Sequence, residues 1–270
     1  MHLRLRVLAS GSSGNAALLT AREHGRRHDL LIDLGLSPRR LRGLLRAEGT
    51  DLESLCGVLL THGDSDHLHE GWAKAWPDLI APPVVVRPGH GNVLPRAGLP
   101  RAVTRWVVEP VEVGPFRVHG IELPHDTEGS TGFRVESGGH AIGWVTDLGH
   151  AVEGLDAFLA GVHALALESN YDPPMQRASP RPEHLKRRIM DGRGHLSNEQ
   201  ALALVRRLES SGTLPEQVVL LHLSEQCNHP DLVRALWRRD AAHLCDRMRV
   251  ANRRTPTEAI DLGPSALALS

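Results

Sequence analysis

Aromatic side chains are scarce in this sequence: five tryptophans, three phenylalanines and a single tyrosine make up 3% of 270 residues. A long groove that holds single-stranded nucleic acid by stacking base after base is therefore not expected. Cysteine is rare as well. Cys56, Cys227 and Cys245 are odd in number, widely spaced and without a CxxC pair, which argues against a disulfide framework. The pattern fits a reduced protein of the cytoplasm, with Cys56, inside an apolar stretch, acting as a small core hydrophobe. No run approaches the ~20 apolar residues of a membrane helix. The amino terminus, His2-Leu3-Arg4-Leu5-Arg6-Val7, alternates; it reads as a strand and lacks the apolar run of roughly 7–15 residues that a secretory leader needs. Charge of one sign is missing too: the formal net charge is -1. No global basic field advertises a polyanion, so any nucleic acid would have to be gripped locally.

What remains is ordinary globular material, 41% hydrophobic and 23% charged, enough for one substantial core. Apolar stretches read as strands at Leu3–Ala9, Ala16–Thr20, Leu30–Ile32, Gly57–Leu60, Pro83–Val86, Arg105–Val108, Phe116–Leu123, Gly132–Val135, Ala141–Val145, Ala164–Leu167 and Val218–Leu221. Several are short and apolar throughout, as in strands buried on both faces. Helical patterns lie between some of them, at Pro38–Ala47, Glu70–Trp76, Glu153–Leu159, Pro182–Met190, Asn198–Glu209 and Pro230–Cys245. Ser37 before Pro38 is a helix start, and Ser197 with Gln200 resembles a capping box. Clusters of strands broken by single helices predict two mixed sheets with helices outside. One domain over residues 1–249 is expected, with 250–270 a tail that frays.

Histidine is the anomaly, with seventeen copies. In Leu60-Thr61-His62-Gly63-Asp64-Ser65-Asp66-His67 an apolar strand ends and four possible ligands follow within six residues. Such density is repulsive and costly to desolvate unless a cation offsets it. A polar surface loop with chance histidines is the plain alternative. The same syntax of strand, ligand-type residue and turn recurs at His125, Asp147 and His222. Each is weak alone and gains weight as part of the set. Asp33 also ends a strand, and suits a partner that orients a ligand better than a ligand itself.

These residues resemble the ligand motif of the metallo-β-lactamase superfamily, His-x-His-x-Asp-His followed by separated His, Asp and His. The resemblance implies a four-layer αββα sandwich of the α/β (α+β) class carrying two divalent metal ions, zinc or manganese. It assigns His62, Asp64 and His125 to one ion and Asp66, His67 and His222 to the other, with Asp147 bridging. Ser10-Gly11-Ser12-Ser13-Gly14-Asn15, Asp33-Leu34-Gly35, Glu168-Ser169-Asn170 and Gly194-His195-Leu196-Ser197-Asn198 further resemble the bacterial YycJ/WalJ subgroup, which implies a 5′-to-3′ exonuclease acting on DNA ends. The sequence departs from that subgroup at Asp64 and Tyr171, where the family usually has histidine.

Aspartate at 64 makes the cluster more neutral, because two divalent cations, three aspartates and a bridging hydroxide sum to zero charge. It is also a harder ligand than imidazole, which tilts the metal preference towards manganese. In the implied chemistry the bridging hydroxide is the nucleophile, Asp66 helps hold it, and Glu168 with His195 assists at the phosphate. A plainer role for His195 is to cap the helix that follows. Substrate contacts are expected from Ser12, Ser13 and Asn15 in a glycine-flanked turn, from Tyr171 stacked on a terminal base, from Arg187 and Arg188, and from Asn198. Two other functions compete: a small-molecule thioesterase, lactonase or cyclic phosphodiesterase of the same fold, and a degenerate, non-catalytic nucleic-acid-binding member.

Overall fold

The computed structural model describes residues 2–76, 82–97, 99, 104–106 and 109–263. Its strands, in chain order, are β1 (His2–Ala9), β2 (Ala16–Glu23), β3 (Arg26–Ile32), β4 (Gly57–Leu59), β5 (Val84–Val86), β6 (Thr104–Trp106), β7 (Val111–Val113), β8 (Phe116–Leu123), β9 (Ser130–Ser137), β10 (His140–Val145), β11 (Ala164–Glu168), β12 (Gln217–Leu221), β13 (Met248–Val250) and β14 (Ile260–Leu262). The helices are α1 (Pro38–Ala47), α2 (Trp72–Ala75), α3 (Val93–Arg96), α4 (Leu155–Leu159), α5 (Pro173–Ala178), α6 (Glu183–Met190), α7 (Asn198–Ser210) and α8 (Pro230–Asp240). They build two seven-stranded mixed sheets, ordered β14-β1-β2-β3-β4-β5-β6 and β13-β12-β11-β10-β9-β8-β7. The chain divides into two compact units, Met1–Gly120 with Val135–Ala141 and Arg253–Ser270, and Ile121–Arg134 with Ile142–Asn252.

In the first unit β14, β1, β2 and β3 are antiparallel neighbours, whereas β3 to β6 run parallel. β3 and β4 are apolar and buried over the paired stretch Leu30–Ile32 and Gly57–Leu59, as strands covered on both faces must be. Helix α1 starts where Ser37 accepts the Arg40 amide and Pro38 fills the first helical position. It buries Leu41 and Leu45 against Leu31, Trp72 and Trp76, each burial being worth about 1.5–3 kcal/mol.

In the second unit β10, β11, β12 and β13 are parallel. Helix α7 has the expected capping box, Ser197 taking the Gln200 amide while the Gln200 side chain accepts the Ser197 amide. Its inner face buries Ala201, Leu202, Leu204, Val205 and Leu208. In parallel strands the free loops at the carboxyl ends are the usual place for ligands. Here those ends deliver Asp33 after β3, His62 after β4, Asp147 after β10, Glu168 at the end of β11 and His222 after β12.

Two expectations need correction. Within the expected tail, whose residues 264–270 lie outside those described, β14 pairs antiparallel with β1, Ile260 opposite Leu5 and Leu262 opposite Leu3. Both side chains are buried, and Arg4 bonds Asp261 between them. The helix expected over Pro230–Cys245 ends at Asp240, because Ala241 adopts φ -150°, and a 3-10 turn, Ala242–Arg247, follows. The expected strand 105–108 is seen as Thr104–Trp106, its last two residues lying outside those described. No helix among the described residues is long and apolar enough to cross a membrane.

Candidate metal centre

Within the first unit the loop after β4 is folded around Thr61. Its hydroxyl bonds both oxygens of Asp33, at 2.9 and 3.1 Å, and approaches Nδ1 of His62 at 3.0 Å. Asp33 is fully buried and takes Nδ1 of His67 at 2.7 Å as well as the Thr61 amide at 2.9 Å. Both histidines are thus engaged on Nδ1, the arrangement in which the lone pair of Nε2 could serve a metal ion. His62 Nε2 lies 3.6 Å from Asp64 Oδ2, and His67 Nε2 lies 3.8 Å from Asp66 Oδ2. Two ligands at ~2.1 Å from one tetrahedral ion are roughly 3.4 Å apart, so each pair has the spacing of two donors on one cation. Asp64 is the outermost of the four, its side chain 56% exposed.

Gly35 sets the close packing behind this loop. A Cβ on it would fall 1.8 Å from the Asp66 carbonyl, so only glycine lets the two backbones approach. Asn15 closes the other side. Its backbone amide and Nδ2 both reach the Asp66 carbonyl, and Nδ2 stands 3.0 Å from His67 Nε2. With Oδ1 taken by the Gly11 amide at 2.9 Å, that amide nitrogen can only donate.

In the second unit Asp147 is buried and lies between two histidines. One of its oxygens, Oδ1, is 3.9 Å from His125 Nε2 and 3.6 Å from His222 Nε2. A carboxylate serving two ions needs that placement. His125 is locked by Nδ1 on the Gly194 carbonyl at 2.9 Å, and His222 by Nδ1 near Glu168 at 3.3 Å. Asn170 Nδ2 donates to the His222 carbonyl at 2.8 Å. The Ser130 hydroxyl holds the Asp147 carbonyl at 2.7 Å. Asp33, Asp147 and His222 all have positive φ, at 62°, 56° and 55°, a conformation uncommon outside glycine and concentrated at functional sites.

Glu168 is a hub of acceptors. Fully buried, it receives the Leu148 and Leu196 amides at 3.0 and 3.2 Å and His195 Nδ1 at 2.7 Å. Burial pushes its carboxyl up, but His195 and His222 outweigh that and hold it below the usual carboxylate range. Although Asp147, Glu168, His195 and His222 lie close enough to surround an ion, the Glu168 oxygens are committed to four donors. Its part is to orient rather than to ligate. The His195 ring is partly open, 20% exposed, with Nδ1 3.6 Å from Asp147 Oδ1. Its Nε2 has no hydrogen-bond partner among the described residues.

Other expected contacts fall elsewhere. Tyr171 is buried, packed with Ile189 and Cys227, so its ring is core and does not offer a face to a base. Asn198 and Asn15 are buried too, Asn198 being bonded to Ser169 and Asn228. Their side-chain polar atoms are engaged within the protein. Ser12 and Ser13 are exposed in their turn, as is Arg187. Arg188 is exposed but ion-paired with Asp126. Thr61, Asn170, Asn228 and the Gly194 carbonyl were not singled out from sequence. Thr61 and Gly194 sat inside the motifs that were read, and only their non-ligand chemistry hid them.

The buried histidine and aspartate sets at strand ends, on two mixed sheets, define a metal-binding α/β hydrolase. The β-lactamase superfamily domain model matches residues 28–223, and the chain belongs to that family. Among curated relatives, exodeoxyribonuclease YycJ of Bacillus anthracis is 28% identical over 239 residues, 87% of each chain. Exodeoxyribonuclease WalJ of Streptococcus pneumoniae is 27% identical over 231 residues, 84% of this chain and 83% of the relative. Among solved structures, a diphosphatase from the PhnP family aligns with a TM-score of 0.67 at 16% identity, covering 98% of this chain and 99% of that one. That likeness shows the fold, the αββα sandwich of the superfamily.

Proposed function

We propose that this protein is a metal-dependent phosphodiesterase that degrades DNA from an end, in the 5′-to-3′ direction. The observation that carries the reading is the Glu168–His195 pair, which sets a partly exposed imidazole beside Asp147. An imidazole so placed can donate to the phosphoryl oxygen that gathers charge or to the one that leaves. The names of the YycJ and WalJ relatives support the choice of DNA.

The ligand set suits two divalent ions, with His62, Asp64 and His125 serving one, Asp66, His67 and His222 the other, and Asp147 both. When bound, such ions supply a water-derived nucleophile at neutral pH and a clamp on phosphoryl oxygens. The remaining steps belong to side chains. Glu168, kept ionised, accepts the Nδ1 proton of His195 and fixes the ring so that Nε2 faces the reacting group. From there Nε2 holds a proton against a phosphoryl oxygen and passes it to the departing alkoxide. Asp64, exposed and anionic where imidazole is usual, makes its ion's surroundings harder and favours manganese.

The test uses metal-stripped protein refilled with manganese or zinc, assayed on bis(p-nitrophenyl) phosphate and on a 5′-labelled DNA strand, beside Asp147→Ala and His195→Ala. Manganese should restore at least as much cleavage as zinc, both substitutions should abolish it, and label should leave first as short products. Activity with zinc alone would overturn the metal assignment. No cleavage with either ion would overturn the phosphodiesterase itself.

A further inference from the structure

Arg181 is held without a carboxylate. Its Nε donates to Gln226 Oε1 at 3.0 Å, Nη1 to Gln176 Oε1 at 3.2 Å and Nη2 to Ser224 Oγ at 3.3 Å. Among the described residues no acidic group pairs with it, Glu225 and Asp172 included, although Glu225 lies between two of its partners' positions in sequence. Two basic residues nearby differ: Arg188 is neutralised by Asp126, and Lys186 by Glu183. Three neutral acceptors fix the guanidinium plane and leave its charge intact.

The partners are built for the arginine. Gln176 is fully buried, and with Oε1 turned to Arg181 its Nε2 is enclosed with no hydrogen-bond partner among the described residues. That orientation is costly for the glutamine. Ser224 is 3% exposed. Its oxygen accepts from Arg181 and from the Cys227 amide at 3.3 Å, and its own proton has no acceptor among the described residues. Ser224 is two residues beyond His222, within about 7.6 Å by Cα spacing. Its amide is anchored at 2.8 Å on Asn170, the residue that also braces His222.

A guanidinium carries five N–H groups, three of them used here, and the two that remain are one on each terminal nitrogen. Such a pair, rigid and uncompensated, matches two oxygens of a phosphate. We infer that Arg181, assisted by the Ser224 hydroxyl, docks a phosphodiester of the substrate strand neighbouring the one cleaved. The inference rests on the phosphodiesterase reading above. It also explains how a chain without a basic field or a stacking groove can retain a polyanion: by a few prepaid contacts.

Arg181→Ala and Arg181→Lys are compared with the parent protein, metal-loaded, on the DNA strand and on bis(p-nitrophenyl) phosphate, which has a single phosphate. The alanine variant should raise KM for the strand about tenfold, with a smaller change for the small substrate and with kcat for the strand moving less than KM. Lysine should recover part of the loss. The plot of log Kd against log salt should lose about 0.7 of its slope, the share of one phosphate on a single strand. Equal losses on both substrates, accompanied by a lower melting temperature, would make Arg181 a structural clamp and overturn the proposal, as would an unchanged KM and slope. A parent protein inert on DNA would sink the nuclease reading separately. In that event, protection from thermal unfolding by inorganic phosphate, present in the parent and absent in Arg181→Ala, would still support an anion site, and its absence would overturn it.

Discussion

Asp33 is fully buried and is the acceptor for Thr61 and His67. Its worth lies in fixing which nitrogen of His67 is left to bind. Asp33→Asn keeps the shape and removes the charge, so metal affinity should fall about 10–100-fold, as read by competition with a chromogenic chelator. An unchanged affinity would mean that Thr61 alone sets the ring. Tyr171 offers a different test, because it is the single tyrosine. Burial, then the charges of Glu168 and Glu199, push its phenol from 10.0 up to about 12. The raised value favours the neutral ring in the folded state. Its contribution is complete below about pH 10 and is lost as pH rises through about 12. Tyrosinate absorbance should therefore appear with a midpoint near 12, together with falling stability across that window. A midpoint near 10 would place the ring in solvent.

Among the elements, the longer ones were legible where several signals agreed. Helix α1 carries a cap, a proline and a period of leucines, and it runs over the residues that the sequence predicted. Strand β8 alternates over eight residues and does likewise. The elements not foreseen are short: among the described residues β7, β13 and β14 have three residues each, α3 four and α5 six, too few for a period to emerge clearly. β14 matters nonetheless. Ile260 is 3% exposed and faces the same core as Leu5. Ile260→Ala should cost about 2–4 kcal/mol, measured by denaturant unfolding. A loss below ~0.5 kcal/mol would mean that the strand adds little to the sheet.

At the scale of the molecule, the candidate site was legible because its ligand-type residues are clustered in sequence at His62–His67 and are announced elsewhere by the ends of apolar strands. Residues that act through hydrogen bonds rather than through charge or metal affinity were not. Thr61 and Asn170 have no spacing rule, and their roles depend on which backbone carbonyl or ring lies within 3 Å or so. Tyr171 and Asn198 were misjudged for the converse reason: a polar residue near a motif is as often a brace for its loop as a contact for substrate.

Strand β1 pairs on one side with β2, which follows it directly, and on the other with β14, more than two hundred and fifty residues later. During synthesis its second edge therefore stays unpaired until residues 260–262 have been made. Open edges recruit other chains, and this one is studded at alternate positions with His2, Arg4 and Arg6, all partly exposed. Charges along an open edge disfavour pairing with another chain. With β14 in place, Arg4 is bonded to Asp261.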